Sequence, residues 1–336
     1  MSAIDLAIGE VVELSTSDFE SPSGMRVTHR LVSVGDESDP DEHQRLAAIG
    51  NAFEADLLLH PEWPSSLGAS FDANPASRWL YLEDPAQTSM QEWARLFPTA
   101  KALYPLQRLD DGGRVLPGGT IDDRAKFLFT NMYDGIGLRA RARIMADLLV
   151  GVAGSFEDQE LSCVSLGCGA AVPDVEATLR IGEELGKTVR WQLYDVDADS
   201  LDFSRELAVE AGIVPGSIET FEASFVRAFR RESTGTVHAV DVLGLWEYLD
   251  DRTCVKLLQK SFKLLKPGGL FIASNMLSDR PQLQFNLRGV GWPLIKPRSD
   301  AELIAIVTEA RTGGDLTLTR SEDGLYGVLE VRKPLA

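Results

Sequence analysis

Val164-Ser165-Leu166-Gly167-Cys168-Gly169-Ala170-Ala171 carries an apolar strand straight into a Gly-x-Gly turn. Glycine accepts positive φ and lets a ligand approach the backbone closely, where a Cβ would stand in the way. Such a turn alone is as readily a tight connection as a ligand loop, so its neighbours decide. A dinucleotide fingerprint wants a third small residue three positions on, yet Val172 stands there and Pro173 follows. Diphosphate binding at the following helix is thereby disfavoured. Leu193-Tyr194-Asp195 then ends a second apolar run with a carboxylate, at the edge of the same expected crevice. An ionised acid there can accept both hydroxyls of a ribose. Asp195 lies 28 residues beyond Gly167, longer than the nicotinamide pattern prefers.

Outward from this point, short apolar runs alternate with helical periodicity from Asp122 onward. The runs 163–166, 189–194, 218–222, 237–242 and 270–274 read as strands, followed by two β-like segments at 316–320 and 327–332. Helices are predicted over 123–149, interrupted near Gly135, and over 175–185, 200–211, 251–265 and 300–310. The fold class that follows is α/β: a Rossmann-like, doubly wound, seven-stranded and mostly parallel sheet covered by helices. Residues 1–120 form an N-terminal accessory region and residues 121–336 the ligand-binding domain, joined through the glycine-rich stretch 107–119. Within the accessory region, 9–14 and 25–34 alternate like strands or loops, and helices are expected over 41–60 and 89–97.

At these motifs the sequence resembles the class I S-adenosylmethionine-dependent methyltransferases of small-molecule type, over about residues 127 to 334. Ser165-Leu166-Gly167-Cys168-Gly169 is similar to their first motif and Tyr194-Asp195-Val196-Asp197 to their second. Leu264-Leu265-Lys266-Pro267-Gly268-Gly269 is similar to the turn before their fifth strand. The resemblance implies S-adenosylmethionine as cofactor and methyl transfer to O or N of a small-molecule metabolite. It also implies cofactor contacts from Tyr133, Ser165, Gly167, Cys168, Gly169, Asp195, Val196, Ser224, Phe225 and Leu243. Ser165 departs from the acid that many members carry there, and Ser224 from a slot more often held by aspartate. Phe225 reads equally as an adenine-stacking ring or as core. Tyr133 belongs to Asn131-Met132-Tyr133-Asp134-Gly135-Ile136-Gly137, which resembles a Tyr-Asp segment folding over the cofactor. Trp246, Tyr248 and Trp292 are the implied substrate contacts.

Methyl transfer from a sulfonium is an in-line displacement that needs alignment and exclusion of water, with no metal and no covalent residue. Aromatic faces attract the sulfonium charge, and Tyr133, Trp246 and Tyr248 are suppliers on that ground, or simply packing residues. Should the acceptor be a hydroxyl, the candidate bases are Glu247 and His238, the latter inside a predicted strand and better read as structural. Arg139, Arg141 and Arg143 read as solvated helix charges or ion pairs, one of them free to meet a cofactor or acceptor carboxylate. Asp197 and Asp199 open a helix, where capping and first-turn acids favour the macrodipole. The segment 279–300 suits a substrate-covering loop, or equally a homodimer contact.

Composition bounds the partners. Of 336 residues, 51 are acidic and 33 basic, a formal charge of −18 that repels nucleic acid and anionic membranes. The place after the fourth strand reads Asp241-Val242-Leu243-Gly244, without the motif of nucleic-acid methyltransferases. The start has no signal-peptide pattern and no apolar run approaches a membrane span, so the cytoplasm is the expected compartment. Cys163, Cys168 and Cys254 have neither disulfide nor zinc spacing. Because fold does not fix function, the alternative is a protein of the same fold that binds the cofactor in a non-methylating or regulatory role.

Overall fold

The strand Glu160–Leu166 lies inside one nine-stranded sheet, two strands in from one edge, and is apolar on both faces. The computed structural model describes residues 7–61, 96, 99–109, 111, 114–121, 123–290, 292 and 294–335. In chain order the strands are β1 (Val11–Glu20), β2 (Arg26–Val34), β3 (Glu160–Leu166), β4 (Thr188–Asp195), β5 (Ile218–Glu222), β6 (Val237–Val242), β7 (Leu265–Met276), β8 (Asp315–Ser321) and β9 (Tyr326–Arg332). Their order in the sheet is β1-β2-β8-β9-β7-β6-β3-β4-β5. The run β5-β4-β3-β6-β7 is parallel, and β9 lies antiparallel to both β7 and β8. This is the Rossmann-like arrangement expected, with all seven expected strands present.

The sheet is larger than the seven strands expected. β2 adds to the free edge of β8 in parallel, with Val27 opposite Leu316 and Val32 opposite Ser321. β1 closes the edge as an antiparallel hairpin partner of β2. The alternation at 25–34 marked a strand correctly, but a parallel partner almost a whole chain away leaves no local trace.

The described α-helices are α1 (Pro40–Leu59), α2 (Ala100–Gln107), α3 (Asp123–Asn131), α4 (Tyr133–Ser155), α5 (Val172–Leu185), α6 (Ala198–Glu210), α7 (Ala228–Arg231), α8 (Asp251–Leu264) and α9 (Asp300–Ala310). Asp39 caps α1 by accepting from the N–H groups of Asp41 and Glu42, with Pro40 at the first helical position. Ser299 and Glu302 close α9 with a capping box. The helix expected over 89–97 falls, but for Leu96, outside the described residues. The break expected near Gly135 separates α3 from α4, and there the Phe129 carbonyl oxygen comes within 1.7 Å of where a Gly135 Cβ would stand. Only glycine admits that approach.

Helices cover both faces. On one, Leu257, Leu258 and Phe262 of α8 and Ile306 and Val307 of α9 pack on Val164, Val240, Phe271 and Leu329. On the other, Ile144, Met145 and Leu149 of α4 and Ile181 of α5 pack on Cys163, Leu193, Ala239 and Ile272. Every residue of β6 is buried, as a strand covered on both faces requires.

Arg139 fastens the N-terminal region to this body. Its guanidinium, 1% exposed, forks onto both Asp36 oxygens at 2.7 Å and donates to the carbonyls of Leu106 and Thr130. Burial alone would raise the Asp36 carboxyl, but the bond to Arg139 outweighs it and holds Asp36 below the usual range. Removing one partner of a buried pair leaves the other uncompensated. Arg139→Met is therefore expected to lower unfolding stability by about 3–5 kcal/mol, read from the midpoint of a urea titration.

Candidate functional site

At the carboxyl ends of β3, β4 and β6 the chain winds apart and leaves a cleft of about 540 Å³. That volume lies within the roughly 300–1,000 Å³ of small-molecule sites, and the position is the switch point where open α/β sheets bind ligands. The glycine turn forms its base, with Gly167 at φ +72° and Gly169 at φ +54°. The N–H groups of Gly167 and Cys168 donate to the Tyr194 carbonyl at 2.7 and 3.3 Å, tying the turn to the end of β4. A Cβ on Gly167 would meet the Leu245 Cβ at 3.0 Å.

Asp195 is locked across the crevice. Its Oδ2 accepts from the Gly169 N–H at 2.9 Å and its Oδ1 from the Asp197 N–H at 3.0 Å. Each carboxylate oxygen has two lone pairs, so both keep one for a ligand. Ser224 and Phe225 follow β5 on one wall with Val196, which is 72% exposed. Leu243, Leu245 and Tyr248 follow β6 on another. α5 enters the cleft through Val172 and Pro173, and the proline has no N–H to offer a phosphate.

A helix from the N-terminal region closes over the turn. Thr99, Ala100, Leu103 and Gln107 line the cleft, and the Ala100 Cβ lies 3.3 Å from where a Gly169 Cβ would be. Lys101 holds this helix by pairing with Asp199 at 2.8 Å, and Asp197 accepts from the Ser200 hydroxyl, so both acids serve structure. The periodicity of Ala102, Leu103 and Leu106 was the available signal for α2, obscured by Pro105 inside it.

Ser165, Gly167, Cys168, Gly169, Asp195, Val196, Ser224, Phe225, Leu243 and Tyr248 thus line one cleft. The remaining expected residues stand elsewhere. Tyr133 opens α4 with its ring edge-on to His43 of α1, 4.9 Å between centroids, rather than over the cleft. Trp246 is wholly buried and packs on Phe271. Trp292 is one residue removed, its indole N–H donating to the Tyr248 hydroxyl at 2.6 Å. The segment 279–300 packs on α1, where Arg288 donates to the carbonyls of Leu57 and His60 and Gln282 to that of Ala47. Among the described residues of that segment, only Leu294 lines the cleft.

Neither candidate base is free to act there. Glu247 is buried with both oxygens engaged, Oε1 by Arg141 at 2.9 Å and Oε2 by the Met276 N–H at 3.0 Å. Burial raises its carboxyl while Arg141 opposes the rise. His238 lies near the opposite end of β6, accepting from the Ser162 N–H at 2.8 Å, with Lys266 and Asp158 at its other nitrogen. Burial there lowers its imidazole below the ordinary value.

The site also gathers side chains that sequence reasoning missed or misjudged. Arg139, Arg141 and Arg143 are all buried, since α2, α3, α5 and the sheet pack around α4. Arg141 lines the cleft while stacking on the Tyr326 ring at 4.5 Å. Asp174 and Asp241 line it too, and the Ser165 hydroxyl donates to Asp241 at 2.8 Å. Burial holds both carboxyls above their usual range. A carboxylate inside the run Ala239-Val240-Asp241-Val242 was the available signal; Asp174 was masked by the normality of an acid in a first helical turn. Among the described residues, no group of three or more His, Cys, Asp or Glu is placed to hold a metal ion.

No family model matches this chain and no curated protein matches it. Among solved structures it is similar to a possible exported protein of Bordetella parapertussis, at 18% identity over 88% of this chain and 99% of that one, with a TM-score of 0.59. That likeness is one of fold. It also aligns with an O-methyltransferase family protein of Burkholderia thailandensis, at 16% identity over 78% of this chain and 77% of the other, TM-score 0.47. The S-adenosylmethionine-dependent methyltransferase SibL aligns at 16% identity over 88% of this chain and 96% of its own, TM-score 0.47.

Two stability measurements follow. Glu247→Ala strands Arg141 and is expected to cost about 3–5 kcal/mol in a urea titration, as a buried ion-pair member does. The second concerns the raised acids. A folded state that holds protons the unfolded chain has released loses stability as pH rises from the ordinary carboxylate range, near ~4, toward the raised value. Asp174→Asn is expected to flatten that decline, seen by comparing urea midpoints at about pH 5 and about pH 8.

Proposed function

We propose that the cleft binds S-adenosylmethionine and that the chain is a methyltransferase acting on O or N of a small-molecule metabolite. The observation that carries this reading is the Gly169–Asp195 clamp: a carboxylate fixed by two backbone N–H groups, with lone pairs left over for a ribose diol. The cleft also fits the rest of such a ligand. Phe225 and Val196 offer apolar surface for adenine, and the close-packed glycines leave room where a Cβ would intrude. The cofactor supplies an electrophilic methyl group when bound. What the chain contributes is placement: Asp195 orients the ribose, α2 shields the turn from water, and Arg141, Tyr248 and Leu294 line wall left for the acceptor.

The charge of −18 argues for a small acceptor over nucleic acid. Among the described residues no helix is long and apolar enough to cross a membrane. All three cysteines are free thiols, which suits a reducing compartment such as the cytoplasm.

One observation favours a second reading. Glu247 is engaged and His238 is remote, so neither expected base faces the acceptor. An acceptor that needs no base, such as a carboxylate or free amine, fits this; so does a protein that binds the cofactor without transferring its methyl. Formation of S-adenosylhomocysteine with some acceptor in a broad panel separates the two.

Calorimetric titration with S-adenosylmethionine, S-adenosylhomocysteine and NAD tests the cofactor. Binding of the first two and not the third is expected, weakened at least about tenfold in Asp195→Ala, since each hydrogen bond to a charged group contributes about 1.5–3 kcal/mol. Binding of NAD alone, or of none, overturns the reading.

A further inference from the structure

Among the described residues, no cation is placed to neutralise two carboxylic acids that face the cleft. Asp174 comes from the first turn of α5 and Asp241 from the carboxyl end of strand β6, and both are 2% exposed. Their side chains lie within hydrogen-bond reach of each other. Ser165 occupies one Asp241 oxygen, but Asp241 Oδ2 and Asp174 Oδ1 are buried with no partner. The strongest influences on Asp174 are its own burial and Asp241, not a cation. The other groups facing the pair are the thiols of Cys163 and Cys168 and the Asp195 carboxylate, with Asp197 further along the cleft wall. Burial raises both thiols, so they stay neutral. Arg141 of α4 shares the cleft but is engaged by Glu247.

We propose that Asp174 and Asp241 form a subsite for a primary ammonium group, and that the pair holds one proton between its oxygens which leaves when the ammonium enters. The inference rests on the proposed cofactor, whose amino-acid portion carries such a group. Two buried carboxylates in contact cannot both stay ionised without a counter-charge, so the empty site keeps a proton. An arriving ammonium supplies the counter-charge and the missing donors. The carboxyl O–H bond then breaks, its proton passes to solvent, and the ammonium keeps all of its own protons. Ser165 steadies Asp241 by donating its hydroxyl to Oδ1.

The test is proton linkage. S-adenosylhomocysteine and methylthioadenosine, which lacks the amino acid, are titrated into the protein at about pH 7 in phosphate and in Tris, whose ionisation heats differ. The expected result is release of about one proton with the first ligand and none with the second. Asp174→Asn is expected to bind S-adenosylhomocysteine without that release. Equal heats in both buffers for S-adenosylhomocysteine overturn the subsite while leaving the cofactor reading intact. Equal proton release by both ligands overturns it as well. Failure of S-adenosylhomocysteine to bind at all removes the cofactor reading and the subsite with it. The comparison of two ligands on the unaltered protein stands even if the variant fails to fold.

Discussion

β3 is hydrogen-bonded to β4 on one side and β6 on the other, while the chain leaves it toward β4 and returns through β6. Right-handed crossovers force the connections of the two halves onto opposite faces, so no crossover helix fills the space above the join. The cleft is that space. The glycine turn is where the chain departs, Asp195 is where the neighbouring strand ends, and Asp241 is where the strand on the far side ends. Their convergence needs no further design than parallel register, which places Ser165 beside both Leu193 and Asp241.

A chain of net charge −18 nevertheless keeps five arginines out of water among the described residues: Arg139, Arg141, Arg143, Arg280 and Arg298. Each joins segments distant in sequence. Arg139 and Arg143 bind the loop after β2, Arg141 binds Glu247, Arg280 binds Asp134, and Arg298 binds Asn275 and Asp251. A guanidinium suits this duty because its planar donors satisfy several acceptors at once. The negative charge is thus mainly a surface property, and the interior around α4 is organised by cations.

What was legible in the sequence was what depends on neighbours along the chain. The Gly167–Gly169 turn, Asp195 and the alternation of strands and helices are local patterns, and each appears where the pattern puts it. What was hidden depends on which face a residue presents. Glu247 reads as a candidate base before a helix until Arg141 arrives from a segment 106 residues earlier and engages it. Tyr133 follows the same rule: its motif is local, but α1 draws its ring away from the cleft. His238 failed for a simpler reason, since a residue near the start of a parallel strand lies a strand's length from the ligand end.

The parallel seam between β2 and β8 fixes an order of events during synthesis. The β1–β2 hairpin leaves the ribosome well before β8, and its partner edge is completed only when Ser321 has emerged. A lone two-stranded hairpin is marginally stable in water, and closing so long a loop is slow. Val27 and Val32, wholly buried in the finished sheet, therefore stay in solvent until β8 has been made. The β1–β2 hairpin, made early, is thus set in place late, after the strands on which its partner edge depends.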